Sequence, residues 1–320
     1  MAAHKGNLEF DAFMTAHELS IWIRDNIKQV LKRQGAVVGI SGGIDSAVVA
    51  TLCVKSLGAK RVVGLALPER DSSPESLTLA RDLAERLGIP FIVEDILAGL
   101  EGMGAYRRRD EAVKRVFPEY RAGDAFKITL QSNPLEGNLL NVFRLTLIDA
   151  AGHENSKRLQ LEDYLQIVAA SNMKQRLRMT MLYYHAELHN YAVVGTGNKN
   201  EHDLGFFVKY GDGGSDLMPI GHLYKTQIYQ LAEALEISPA IIKRQPTTDT
   251  YPAEVSQEEF FFRLPFATMD AIWNAMERGI SAEVIGKALA LDQQQVQRVM
   301  DDINQKRHTT NYLRRPPLKV

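Results

Sequence analysis

A single cysteine, Cys53, stands in the 320 residues of the chain. One thiol can neither close an intrachain disulfide nor complete a multi-cysteine zinc or iron-sulfur site, so both are excluded as supports of the fold. No run of eighteen apolar residues occurs, and the opening Met-Ala-Ala-His-Lys-Gly-Asn has no apolar signal segment. The expectation is a cytoplasmic protein with no membrane partner. Net charge is also missing: 38 Lys and Arg against 39 Asp and Glu leave a formal −1, which gives no general electrostatic reason to expect nucleic acid. What remains is an ordinary globular composition, 45% hydrophobic and 24% charged, long enough for one large core with satellite elements.

Hydrophobic periodicity and punctuation then divide the chain. A first helix is expected over about residues 10–33, where Phe13, Leu19, Trp22, Ile23 and Ile27 make an imperfect apolar face. A strand at 36–40 follows, then a helix over 47–57 ended by Gly58, a strand at 61–67, and a helix capped by Ser72 or Ser73 with Pro74 in its first turn. That helix stops at Gly88 before a short strand at 90–93. Strand, helix, strand, helix, strand at this spacing predicts an α/β fold, a Rossmann-like parallel sheet flanked by helices.

Residues 100–156 break the rhythm and read as an insertion, helical in part, with Arg107, Arg108 and Arg109 on a solvated helix face. A long helix over 161–189 and a buried strand over 191–196 resume it. A Gly-rich loop at 209–214, a helix over about 223–235, a mixed segment at 245–266 and a helical extension over 267–320 complete what is expected to be one domain, 1–320.

The chemistry concentrates at two strand ends. Residues 38–49 run from an apolar strand through Ser41, Gly42 and Gly43 into a helix carrying Asp45 and Ser46. Glycines allow close approach, and the hydroxyls add donors beside the free amides of a helix start, so the loop suits phosphate. Asp45 would repel a bare phosphate, which implies a divalent cation between them or a supporting polar role. The loop is neither the Walker pattern nor the dinucleotide Gly-x-Gly-x-x-Gly fingerprint.

The second cluster, Gly195-Thr196-Gly197-Asn198-Lys199-Asn200-Glu201, leaves amides and a hydroxyl free above the sheet and brings in a second carboxylate. Asp45 and Glu201 together would suit magnesium; a solvated helix-start residue is the plainer reading of Glu201. Downstream, Phe206, Phe207, Lys209, Asp212 and Asp216 lie among glycines, where the aromatics either stack on a ligand ring or fill core.

These segments together carry a resemblance. Ser41-Gly42-Gly43-Ile44-Asp45-Ser46 is similar to the pyrophosphate loop of the N-type ATP pyrophosphatases, an adenine nucleotide alpha hydrolase-like fold. The 195–201 cluster, the segment Gly205-Phe206-Phe207-x-Lys209-Tyr210-Gly211-Asp212-Gly213-Gly214-x-Asp216, the pieces Pro219-Ile220 and Leu223-x-Lys225-Thr226, and the helical residues Asn172, Met173, Arg176, Arg178, Met179, Leu182 and Tyr183 resemble the NAD synthetase family. The resemblance implies a ligase that adenylates the carboxylate of deamido-NAD with ATP, releases pyrophosphate, and lets ammonia displace AMP.

It further implies Asp45 and Glu201 as metal ligands for Mg2+, with Lys225 as the third catalytic group. Gly39, Ser41, Gly42, Gly43, Asp45, Ser46, Arg176, Thr196, Lys225 and Thr247 fall to ATP, and Phe206, Lys209, Asp212 and Asp216 to the dinucleotide and ammonia region. A homodimer is implied as well, and the apolar stripe Leu165, Val168, Met173, Leu177, Met181 and Tyr184 points the same way.

Two departures from the family pattern stand out. Where the family carries an acidic Asp-Glu-x-x-Leu-Gly-x-x-Tyr segment in a mobile loop, this chain has Pro246-Thr247-Thr248-Asp249-Thr250 and then Ser256-Gln257-Glu258-Glu259-Phe260-Phe261-Phe262-Arg263. The added length around 100–160 is the second. No glutaminase companion is expected, given the short stretch before Ser41 and the place of Cys53 inside an apolar helix, so ammonia is expected free or from another chain. The alternatives are a sister enzyme that amidates another carboxylic acid and a catalytically silent nucleotide-binding protein.

Overall fold

The computed structural model describes Leu8 and residues 10–121, 123–130, 133–136, 142–149, 151–247, 250–253 and 255–319. The first half alternates as the periodicity predicts: α1 (Ala12–Asp25), β1 (Ala36–Gly39), α2 (Ile44–Leu57), β2 (Val62–Ala66), α3 (Pro74–Leu87) and β3 (Phe91–Val93). A π-helical turn, Asn26–Val30, extends α1. Ser73 is the residue before α3, Pro74 starts it, and Gly88 ends it in the left-handed conformation, as its lack of a Cβ allows. α2 begins three residues before its expected start, which brings Asp45 and Ser46 into its first turn.

Residues 97–158 hold two helices, α4 (Leu97–Gly102) and α5 (Ala105–Val116), and a three-stranded antiparallel sheet, β4 (Ala125–Leu130), β5 (Phe143–Ile148) and β6 (Glu154–Arg158). The helices agree with the expectation of a partly helical segment, and the three strands add a sheet that the sequence reading did not expect. Arg109 is corrected: Arg107 pairs on the exposed face with Glu111, while Arg109 is buried against Asp71 and Asp110.

α6 (Leu161–His189) follows with the expected ends, then β7 (Ala192–Val194), α7 (Lys199–Leu204), α8 (Lys225–Ala234) and α9 (Pro239–Lys243). A second π-helical turn, Glu258–Phe262, precedes α10 (Phe266–Glu277), α11 (Ala282–Leu289), α12 (Gln293–Thr309) and α13 (Asn311–Arg314).

The main sheet has the order β3-β2-β1-β7, all parallel. Successive side chains point to opposite faces, so Ala36 and Val38 join the core under α1, α2 and α8, while Val37 joins the one under α4, α5 and α6. Both faces are therefore covered, which explains why the strands read as continuous apolar runs. The antiparallel sheet packs a third core with α5, Ile167 of α6 and Tyr251, and α10 to α12 build a fourth around Trp273 and Phe262. The order places β1 between β2 and β7, so the chain turns one way from β1 and later returns on its other side. That reversal opens a crevice beyond the carboxyl ends of β1 and β7.

Candidate active site

The loop leaving β1 lines this crevice. Gly42 has φ 75°, and a Cβ there would stand 2.5 Å from the Ser76 carbonyl oxygen, so only glycine fits without displacing α3. Ser46 Oγ donates to the Gly43 carbonyl at 2.9 Å and lies 3.2 Å from Ser41 Oγ. The result is a small cradle of hydroxyls at the amide end of α2, the favourable end for an anion.

The loop leaving β7 is coupled to it by one side chain. Asn198 caps α7: its Oδ1 accepts from the Glu201 amide at 3.0 Å, Glu201 Oε2 accepts from the Asn198 amide at 3.1 Å, and Asn198 Nδ2 donates to Asp45 Oδ1 at 3.0 Å. The other oxygen of Asp45 accepts from Lys225 Nζ, a wholly buried ammonium at the start of α8. Burial and then the nearby Asp45 carboxylate push the Glu201 carboxyl up, to about 8, against the pull of Lys225. With both acids ionised, two carboxylates share one ammonium, and the excess negative charge in a poorly hydrated place calls for a cation or a proton.

Lys225 is positioned from behind. Asn200 Oδ1 accepts from its amide at 2.9 Å, and buried Asp270 of α10 accepts from Asn200 Nδ2 at 2.5 Å and from the Thr226 amide and hydroxyl at 2.9 Å each. Sequence reading missed Asp270, because nothing local to α10 marks it as polar core. On the cleft side, Gln257 Nε2 donates to Glu201 Oε1 at 3.2 Å.

The cleft encloses about 590 Å³. Of the residues expected there, Gly39, Ser41, Gly43, Asp45, Ser46, Thr196, Glu201, Phe206, Asp212, Lys225 and Thr247 line it, with Gly42 in the turn behind. Asp212 accepts from the Val208 amide at 2.8 Å, and the protein around it pushes its carboxyl up, to about 6, although one side still meets solvent. Phe206 stacks on Phe261 with ring centroids 4.8 Å apart, so it serves core and cleft together.

Three expected residues are engaged elsewhere. Arg176 donates to the Lys209 carbonyl, Lys209 Nζ donates to the carbonyls of Tyr312 and Arg315, and Asp216 accepts from the Val193 amide and Tyr183 hydroxyl. Arg178 lines the cleft instead, anchored on the Leu67 carbonyl, and Arg244 joins it. Among the histidines, His202 lines the cleft and stacks on Phe207, while His185 pairs with Glu94.

With this geometry in hand, the comparisons with known proteins are specific. The family model described as NAD synthase matches residues 15–116 and 140–314, leaving out β4 and the turn after it. A protein of Mesorhizobium japonicum named NH(3)-dependent NAD(+) synthetase is 49% identical over 312 residues, covering 97% of this chain and 97% of that protein. Among solved structures, an NMN synthetase from Francisella tularensis and an NH3-dependent NAD synthetase from Campylobacter jejuni each share the fold at TM-score 0.62 and 23% identity, covering 98% of this chain and 99% and 100% of theirs. Strand-end loops, crevice and sequence agree: the chain belongs to the NAD synthase family.

Proposed function

We propose that the protein is an ammonia-dependent NAD synthetase that joins deamido-NAD, ATP and ammonia to give NAD, AMP and pyrophosphate. The convergence of Asp45, Lys225 and Glu201 above the sheet reversal, beside the Ser41 to Ser46 cradle, carries this reading. A carboxylate must gain a leaving group before ammonia can displace its oxygen, and two phosphate-rich anions must be neutralised before they meet. The cradle would hold the departing pyrophosphate, and Lys225 would meet charge that grows on it. Positioning and charge stabilisation carry the reaction in this reading.

The donor set fits magnesium. Asp45 and Glu201 come from separate strand ends, when both are ionised they carry more negative charge than Lys225 offsets, and Asp45 keeps 16% of its side chain open to the cleft. Asp45 and Glu201 would hold the ion, which supplies neutralisation of the triphosphate when bound. A homodimer belongs to the same reading: on α6, Leu165, Tyr184 and Leu188 stay exposed. Sedimentation at micromolar concentration checks it, and a single 35.8 kDa species with full activity would defeat it.

The activity test uses purified protein with ATP, ammonium and either deamido-NAD or nicotinic acid mononucleotide. NAD, AMP and pyrophosphate are the expected products. Preference for the mononucleotide would favour a sister ligase, and ATP binding without pyrophosphate release would favour a silent protein.

A further inference from the structure

Gln257 lies in the stretch where this chain departs from the family pattern. Its amide donates to the Pro246 carbonyl at 2.9 Å, and an antiparallel bridge joins Thr247 to Ser256, so the residue is held at the cleft wall. Its side-chain nitrogen donates to Glu201 Oε1 at 3.2 Å. The amide oxygen is buried and has no hydrogen-bond partner among the described residues. Buried acceptors are rarely left so, and an orphan beside the Glu201 carboxylate, in the cleft that Asp45 also lines, marks a place where something else binds.

Chemistry narrows what that is. An anion is repelled by Asp45 and Glu201, an apolar group leaves the carbonyl unsatisfied, and a water satisfies the carbonyl without offsetting the two carboxylates. A hard divalent cation wants several oxygens, yet no group of three His, Cys, Asp or Glu able to hold a metal exists among the described residues. An amide carbonyl is an acceptable oxygen donor for magnesium or manganese, and it adds no charge. We infer that Gln257 Oε1 is a third protein oxygen ligand of the divalent cation held by Asp45 and Glu201. The cation thereby ties the wall around Gln257 to both strand-end loops. This inference rests on the magnesium reading above.

The test is Mn2+ binding to the full chain in the presence of α,β-methylene-ATP, followed by electron paramagnetic resonance, with bound waters counted by broadening in 17O-water. Gln257→Leu should bind Mn2+ about tenfold more weakly and carry an additional water where the amide was. Weaker binding with an unchanged water count means that Gln257 only steadies Glu201 through its hydrogen bond, and overturns the inference, as does unchanged affinity. Should Gln257→Leu fail to fold, Gln257→Glu decides. Keeping an oxygen ligand, it should bind at least as tightly as the parent with no added water, and an added water or weaker binding refutes the assignment. If the parent chain itself binds no Mn2+, or binds it equally well as Glu201→Gln, the magnesium reading has failed, which is a different result from a failure at Gln257.

Discussion

Two buried ionic clusters border the same cleft, and burial acts on them with opposite outcomes. In the first, Lys174 Nζ donates to Glu69 at 3.1 Å, Asp71 at 2.6 Å and the Thr250 carbonyl at 2.9 Å, while Arg109 meets Asp71 and the Tyr106 hydroxyl donates to Glu69. In the second, Asp45 and Glu201 share Lys225. Burial pushes Asp71 up, yet Lys174 and then Arg109 outweigh it, and its carboxyl ends below the usual range. Glu201 ends above its range, because the neighbouring Asp45 adds to burial and one lysine does not offset both. The count of counterions, rather than burial alone, separates a strut from a site that needs a ligand.

Breaking the strut should cost the most. Lys174→Met leaves Glu69 and Asp71 buried with fewer cations, so a loss of about 3–5 kcal/mol of folding stability is expected at neutral pH. Asp71 has a depressed pKa in the fold, so its contribution is present above the unfolded value and lost as pH falls through the carboxylate range. The gap between Lys174→Met and the parent should therefore shrink on acidification in urea melts. A gap that stays constant with pH would remove Asp71 from the account.

At the unbalanced cluster the loss should appear in catalysis. Asp45→Asn and Glu201→Gln are each expected to lower turnover roughly a hundredfold or more, about 3 kcal/mol of transition-state stabilisation. Their melting temperatures should part company. Glu201→Gln puts a neutral amide where burial and Asp45 already disfavour the charged carboxylate and should melt no lower than the parent, whereas Asp45→Asn takes the direct partner from a buried lysine and should melt lower. Near-normal pyrophosphate release by either variant at limiting magnesium would show that its carboxylate holds no metal.

The support behind Lys225 gives a smaller effect with a distinctive pH dependence. Asp270→Asn puts an amide donor among the donors of Asn200 and Thr226 and should cost about 1–3 kcal/mol near pH 4. Burial pushes Asp270 up, to about 6, so the folded chain holds this proton more tightly than the unfolded one. Parent stability from this group falls as pH rises from its usual 3.8 toward 6, and the variant lacks that fall. The difference between the two should narrow over that window; a widening difference would reverse the assignment.

The same contrast explains what could be read from sequence. Gly88 and Pro74 mark the ends of α3, so local signals are enough there. Asp45, Glu201 and Lys225 were legible because two of them sit in short segments at strand ends and the third follows the resemblance. Arg176 and Arg178 could not be told apart in this way: two residues on a helix lie about 200° apart, and only the packing of α6 shows that Arg178 faces the cleft. β6, Glu-Asn-Ser-Lys-Arg, is polar and mostly exposed, so it gave no strand signal, although β4 and β5 do alternate. Asp270 and Gln257 reach the site from distant segments, and no spacing rule connects them to Lys225 or Glu201.

The smallest effect is expected at Lys209, where the family resemblance and the geometry divide. A side chain that grips substrate phosphate or ring should cost catalysis dearly when removed. Here the ammonium donates at 3.0 Å to the Tyr312 carbonyl and at 2.8 Å to that of Arg315, fastening α13 and the residue after it beside a cleft that Tyr312 and Leu313 help to line. The hydrogen bonds are solvent-exposed, and loss of such a tether removes about 1 kcal/mol or less. Lys209→Ala should therefore leave the melting temperature almost unchanged and raise KM for deamido-NAD a few-fold at constant kcat, since the wall is loosened and the reacting atoms are not. A hundredfold fall in kcat would place Lys209 on the substrate during turnover and mean that its grip on the tail is released when substrate binds.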